Sequence, residues 1–135
     1  MDNQKQTAAG KERANALSFE VIGAAIEVHR HLGPGLMESA YEVCLCHELE
    51  QCRIPFRSQL ALPVVYKGVS LDCAYRMDVV VDDLVLLELK SVEWMKAVFE
   101  AQIITYLKLS GLWLGLLMNF NVPVMRDGIK RVVQG

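Results

Sequence analysis

The sequence predicts an α/β fold in which helices flank a mixed sheet. Three observations predict it. Apolar residues recur at helical spacing up to Pro55 and at strand-like spacing beyond it. Two short continuous apolar runs, Val79 to Val81 and Leu84 to Leu87, suit strands covered on both faces. A further helical stretch then separates these strands from another apolar run, Leu112 to Phe120. Antiparallel strands followed by a helix and one more strand make a mixed sheet with helices against it.

Each element has its own signal. Residues 1–16 read as a flexible polar tail, since nothing in them is periodic. A first helix is expected from about Ser18, a plausible N-cap, with Phe19, Ile22, Ile26 and His29 or Arg30 on its apolar stripe. Gly33-Pro34-Gly35 ends it. A second helix runs from Leu36 to Cys52, with Tyr41, Leu45 and Leu49 on one stripe, and Pro55 stops it. Phe56 to Tyr66 carries Pro63 and reads as an interrupted or edge strand. Lys67-Gly68 is a turn, Val69 to Val81 a second strand, Asp82-Asp83 a turn and Leu84 to Lys90 a third strand. The third helix fits Met95 to Ser110, with Ala97, Ala101, Ile104 and Leu107 setting its period and Gly111 closing it. After the strand Leu112 to Phe120 come a loop, Asn121 to Gly128, and a short last strand, Ile129 to Val133. Residues 17–135 are expected to form a single domain.

Composition narrows the function. The 135 residues carry 14 basic and 16 acidic side chains, a net charge of −2, with 53% hydrophobic and 22% charged residues. That is a globular composition of one-domain length. A pI near 5.9 excludes a strongly basic nucleic-acid coat, so any nucleic-acid contact is a local patch. The apolar stretch Leu112 to Met118 is far shorter than the roughly 20 residues of a membrane-spanning helix. Residues 1–16 have no apolar core of a secretory signal, which points to a cytoplasmic protein. Cys44, Cys46, Cys52 and Cys73 are then reduced thiols. Cys44, Cys46 and His47 do not make a zinc site, because helical residues two apart point about 200° apart. His29 and His31 fail for the same reason. The cysteines are read as core packing and the histidines as solvated.

The chemistry concentrates in the third strand. Glu88 and Lys90 interrupt an apolar run, and being two apart they share a face. A strand end reaching water would explain them. A carboxylate and an ammonium in a central strand are otherwise costly unless paired or holding an ion. Asp78 interrupts the neighbouring strand. A two-residue turn at Asp82-Asp83 would pair Asp78 with Leu87 and send Asp78 and Glu88 to opposite faces. A site therefore requires a three-residue loop or a bulge, which pairs Asp78 with Glu88. Asp78 and Glu88, with the backbone carbonyl of Leu89, would then hold Mg²⁺ or Mn²⁺ through oxygen ligands. Lys90 would position a water or neutralise developing charge. Spaced D-x9-E-x-K, the three are a weak signal by themselves.

Two further groups join them. Gln102 and Tyr106 lie four apart on one helix face. They read either as a half-buried tyrosine beside an exposed glutamine or as a pair aimed at a phosphate or a metal-bound water. Glu38, in the first turn of the second helix, serves either the helix dipole or the metal. Cations for phosphate contacts are few: Arg57, Lys67, Arg76, Lys96 and Lys108. Tyr66, Trp94 and Trp113 could stack on bases, although Trp113 fits the core better.

Together these residues resemble a known family. Gly35-Leu36-Met37-Glu38-Ser39-Ala40-Tyr41 matches G-x-x-E-x-x-Y, the signature of the GxxExxY proteins, which are assigned to the PD-(D/E)xK nuclease superfamily. The likeness includes Val28 to Gly35, Val64 to Gly68, Tyr75 to Asp78, Leu87 to Lys90, Ala101-Gln102 to Lys108, and Met118 to Phe120. Several blocks in the right order are more specific than any one of them. The resemblance implies a restriction-endonuclease-like core and a metal-dependent nuclease. Its acidic-acidic-lysine pattern falls on Asp78, Glu88 and Lys90. Its helical acidic residue falls on Glu38, and its Q-x-x-x-Y motif on Gln102 and Tyr106. Met77 stands where the superfamily name has proline. Arg76 and Lys108 are the cations expected to contact nucleic acid. Two readings follow: a nuclease acting on DNA or RNA with Mg²⁺ or Mn²⁺, or a catalytically silent nucleic-acid- or protein-binding module that keeps the fold. A homo-oligomer or a protein partner would suit so small a domain. Another phosphate ester as substrate is not excluded by fold.

Overall fold

The computed structural model describes residues 6–135 of the chain. The element order is α1 (Ala8–Leu32), α2 (Glu38–Gln51), β1 (Phe56–Ala61), β2 (Val64–Tyr66), β3 (Val69–Leu71), β4 (Arg76–Val81), β5 (Val85–Lys90), α3 (Ala97–Ser110), β6 (Leu114–Asn119) and β7 (Ile129–Val133). A short 3-10 helix, Met125–Gly128, precedes β7. One five-stranded sheet has the order β1-β4-β5-β6-β7, and β2 and β3 form a separate hairpin. Among the described strands of this sheet, only the β5–β6 pair is parallel. The mixed sheet flanked by helices is the fold class read from the sequence, and β1 is the edge strand expected of it.

Two hydrophobic layers sandwich the sheet. On one face α1 and α2 pack on Val79, Val81, Val85, Leu87, Leu89, Leu114 and Leu116. On the other, Ile103, Tyr106 and Leu107 of α3 pack on Val80, Leu86 and Leu117. Both faces of the central strands are therefore dry, which is why β5 and β6 read as unbroken apolar runs. Among the described residues, no helix is long and apolar enough to cross a membrane.

The structure corrects several expectations. The first helix begins at Ala8, not near Ser18, and Thr7 caps it by accepting from the Gly10 amide at 3.0 Å. The tail expected over residues 1–16 is therefore helical from Ala8 on, and residues 1–5 lie outside the described residues. Ser18 is buried in mid-helix and donates to the Asn15 carbonyl at 2.6 Å. The buried stripe of α1 is Ala14, Leu17, Val21, Ala24, Ala25 and Val28, and Phe19 is 74% exposed. Small alanines form the contact because they let the helix lie close to its neighbours. On α3 the stripe is again shifted: Ile103, Tyr106 and Leu107 are buried, while Ala97, Ala101 and Ile104 are exposed. His29 is buried and hydrogen-bonds the Val122 carbonyl at 2.8 Å, so it is not solvated. Cys44 and Cys46 pack partly against the core, whereas Cys52 and Cys73 are exposed. The strand expected over Val69 to Val81 is broken at Asp72, whose Oδ1 accepts from the Ala74 amide at 2.8 Å in a local turn.

Candidate active site

The turn between β4 and β5 decides where the carboxylates go. Asp82 and Asp83 both take positive φ, 50° and 53°, and the Leu84 amide donates to the Val81 carbonyl at 2.9 Å. Pairing resumes at Val81↔Val85. Asp82, Asp83 and Leu84 thus form the three-residue loop that a site at Asp78 and Glu88 requires. The register then runs through Val80↔Leu86 to Val79↔Leu87, and the next step sets Asp78 opposite Glu88.

There the ladder opens. The Asp78 amide donates to Glu88 Oε2 at 3.0 Å, and the Leu89 amide donates to Asp78 Oδ2 at 2.9 Å. Side-chain carboxylates stand where backbone carbonyls would otherwise accept. Strand β4 also twists at this point. Met77 and Val79 would share a face in a regular strand. Instead Met77 joins the α3-side layer and Val79 the opposite one.

The electrostatics follow from burial. Glu88 is 5% exposed. Burial, with the Asp78 carboxylate beside it, pushes its carboxyl up to about 8, against the lowering effect of the Asp78 amide and Lys90. Asp78 is also raised, first by burial, and is drawn back by the Leu89 amide, Lys90 and Gln59. The Lys90 ammonium lies 4.6 Å from the centre of the Phe99 ring, a cation–π contact that holds it against α3. A buried carboxyl and a half-buried one thus share one partly buried ammonium. That uncompensated charge, on hard oxygen donors, fits a divalent cation. Among the described residues, no three His, Cys, Asp or Glu side chains form a metal cage. Asp78 and Glu88 would hold a cation as a pair, with other oxygens completing its shell.

Glu38 does not converge with that pair. Its Oε2 accepts from the Ser91 amide at 3.1 Å, just beyond β5. Its charge still reaches Asp78 and raises it. Ser91 also donates from Oγ to the Leu36 carbonyl at 2.5 Å. Tyr41 completes the junction. Its hydroxyl donates to the Gly33 carbonyl at 2.5 Å and accepts from the Leu36 amide at 3.1 Å. Its ring stacks on Phe120 at 4.5 Å. Gly35, at φ 102°, makes the turn that this closure needs. The Gly35, Glu38 and Tyr41 motif is therefore a strut that ties the α1–α2 turn to the end of β5.

Gln102 and Tyr106 meet, with Gln102 Nε2 donating to the Tyr106 hydroxyl at 3.0 Å. Burial pushes the tyrosine hydroxyl up, and the charges of Glu88 and Asp78 add to that. This face of α3 looks onto the carboxylates. Tyr75 packs edge-on against the Tyr106 ring at 5.9 Å.

A family profile for the PD-(D/E)XK nuclease superfamily matches residues 15–132. The chain belongs to the PD-(D/E)XK nuclease superfamily. No curated protein matches it, and no solved structure does. The superfamily's mixed sheet is the one described above, with Asp78 and Glu88 on its adjacent strands.

Three residues beside the Asp78–Glu88 pair escaped the sequence reading. Glu42 lies one turn after Glu38 on α2. Its Oε1 accepts from Gln59 Nε2 at 2.9 Å, and burial and Asp78 raise its carboxyl. Its spacing of four from Glu38 was the available signal. Gln59 on β1 had none. Asn119 is buried beside Lys90 in the parallel ladder. Its Oδ1 accepts from the Val92 and Asn121 amides, and its Nδ2 donates to the Val92 carbonyl. It clamps the Val92 backbone, two residues after Lys90.

The cations are dispersed. Arg57 is engaged by Asp83 at 2.5 Å. Arg76 opens β4, two residues before Asp78, and donates to the Tyr75 carbonyl at 3.1 Å. Lys67 sits over the Tyr66 ring at the hairpin tip. Lys96 precedes α3 and lines a cavity of about 330 Å³ with Asn119 and Gly128. Lys108 is in the last turn of α3, which leads back to the start of β6. Trp94 and Tyr66 are exposed. Trp113 is half-buried against the core beneath Lys11.

Proposed function

We propose that the protein is a divalent-metal-dependent nuclease that hydrolyses phosphodiester bonds of DNA or RNA. The observation that carries this reading is the Asp78–Glu88 pair, half-buried and buried in turn, backed by a single ammonium on Lys90. Membership of the PD-(D/E)XK superfamily supports it. Asp78, Glu88 and the Leu89 carbonyl would hold Mg²⁺ or Mn²⁺, the cations that hard oxygen donors select. Such an ion polarises a phosphoryl oxygen and lowers the pKa of a bound water. The chain's own groups do the rest. Lys90, on the same strand face as Glu88, donates to the attacking water or to the phosphoryl oxygen as charge develops there. Gln102 holds the Tyr106 hydroxyl towards the carboxylates, where it can donate to a phosphate oxygen. Glu38 acts at one remove, fixing the Ser91 backbone beside Lys90.

The test is a calorimetric titration with Mn²⁺ of the wild type and Glu88→Ala, followed by cleavage assays on single- and double-stranded DNA and RNA. Binding that disappears in Glu88→Ala, together with cleavage by the wild type, is the expected result. A second reading rests on the two backbone amides that these carboxylates satisfy. There the network is purely structural and the protein a silent binding module. On that reading Glu88→Ala unfolds the protein and the wild type binds no Mn²⁺.

A further inference from the structure

Among the described residues, Gln59 alone takes positive φ inside a strand. Arg53, Lys67, Ala74, Asp82 and Asp83 share that sign of φ, and each lies in a turn or loop. Gln59 sits in the middle of β1 at φ 51°. The register passes from Ser58↔Val79 to Leu60↔Met77, so Gln59 stands opposite Asp78, where β4 twists. A residue with a Cβ is disfavoured in this region. Burial does not offset that cost, because Gln59 is exposed.

What the conformation gains is direction. Gln59 Nε2 donates to Glu42 Oε1 at 2.9 Å, and the same side chain, opposite Asp78 in the register, draws the Asp78 carboxyl down. One amide thereby joins α2, β1 and β4. A carboxamide carries two N–H donors and no charge. It can steady two carboxylates without neutralising them, where a lysine or arginine would compete with a bound cation. Backbone strain of this kind collects at functional sites.

We propose that Gln59 is a positioning residue: the strained β1 backbone aims its amide at Glu42 and Asp78 and fixes the Asp78 carboxylate for a divalent cation. This rests on the metal-dependent reading above.

Gln59→Gly relieves the strain and deletes the amide together. Its melting temperature is expected to stay within about 4 °C of the wild type or to rise. Its Mn²⁺ affinity is expected to fall on the order of 10- to 100-fold, the usual effect of losing a partner that orients a metal ligand. Ser58→Gly loosens the adjacent position of β1 without touching the amide and is expected to keep wild-type Mn²⁺ affinity. Wild-type affinity in Gln59→Gly overturns the inference, as does equal weakening in Ser58→Gly. A melting temperature far below the wild type also overturns it, since Gln59 would then be structural. If the wild type binds no Mn²⁺, the metal-dependent reading falls and this inference falls with it.

Discussion

Asp78 and Glu88 finish each other's strands. The Asp78 amide donates to Glu88 Oε2 at 3.0 Å, and Asp78 Oδ2 accepts from the Leu89 amide at 2.9 Å. Each carboxylate thus has one oxygen committed to backbone, Glu88 in a buried place and Asp78 in a half-buried one. Folding without a cation is correspondingly expensive at high pH.

The pH dependence follows in sign. The Glu88 carboxyl rises from its ordinary 4.5 to about 8 on folding, mainly through burial. Between those values the folded state holds a proton that the unfolded chain has lost. The stabilising contribution is complete below about pH 4.5 and is lost as pH rises through about 8, a change on the order of a few kcal/mol. Asp78, also raised, adds in the same direction. Urea unfolding of the metal-free protein is expected to give lower stability at pH 8.5 than at pH 6. Glu88→Gln flattens that slope. A metal-free protein equally stable at both values would contradict the burial argument.

Lys90→Ala is expected to separate cleavage from folding. Its ammonium rests on the Phe99 ring and makes no salt bridge among the described residues, but it draws the Asp78 and Glu88 carboxyls down. Lys90→Ala is expected to stay folded and to lose about 1–2 kcal/mol, less at low pH, where the two carboxyls are protonated. Cleavage of nucleic acid is expected to fall about 10²- to 10⁴-fold, the range for removing a group that stabilises developing charge. Single-turnover cleavage rates beside a thermal melt check this. Normal cleavage by a folded Lys90→Ala protein removes Lys90 from the mechanism.

Tyr41 and Tyr106 are expected to divide by role. Tyr41→Phe keeps the stack on Phe120 but strands the Gly33 carbonyl and the Leu36 amide. That costs about 1–3 kcal/mol and leaves Mn²⁺ affinity unchanged. Tyr106→Phe leaves only the half-buried Gln102 amide without its partner. It is expected to cost little stability and to lower cleavage about 10-fold, with Mn²⁺ affinity again unchanged. Denaturant unfolding, calorimetry and cleavage rates on both variants read the division. If Tyr106→Phe cleaves at the wild-type rate, the Gln102–Tyr106 pair is packing.

What the sequence made legible depended on contrast. Asp78, Glu88 and Lys90 stood out as charges in apolar strands, and the alternation rule showed that only a three-residue loop or a bulge could bring the two carboxylates together. The buried faces of α1 and α3 were misread because bulk was taken for burial. Phe19 and Ile104 are large yet exposed, while Ala14, Ala24 and Ala25 form a close contact. Gln59 was invisible because a strained φ has no signature in residue type. Asn119 was invisible because its partner Lys90 is reached only through the parallel β5–β6 ladder, across the whole of α3. The break at Asp72 was hidden by apolar residues on either side, since local turn chemistry outweighed the pattern there.

Gly128 gives the sharpest test of how the loop after β6 supports the site. Its φ is not in the left-handed region, so its need for glycine comes from space. A Cβ there would overlap the Asn119 carbonyl oxygen and approach Val122 Cγ2 at 3.0 Å. The obstruction is backbone, which cannot swing aside as a side chain can. Relief requires moving Asn119, whose side chain holds Val92 and Asn121. Gly128→Ala is therefore expected to cost about 2–4 kcal/mol in urea unfolding and to weaken Mn²⁺ binding through the displaced Lys90–Val92 backbone. Gly111→Ala is the comparison. It caps α3 at φ 77° with open space around it, so it pays only the left-handed penalty, about 1–2 kcal/mol, and leaves the cation site intact. A Gly128→Ala protein with wild-type Mn²⁺ affinity would show that Asn119 does not govern the end of β5.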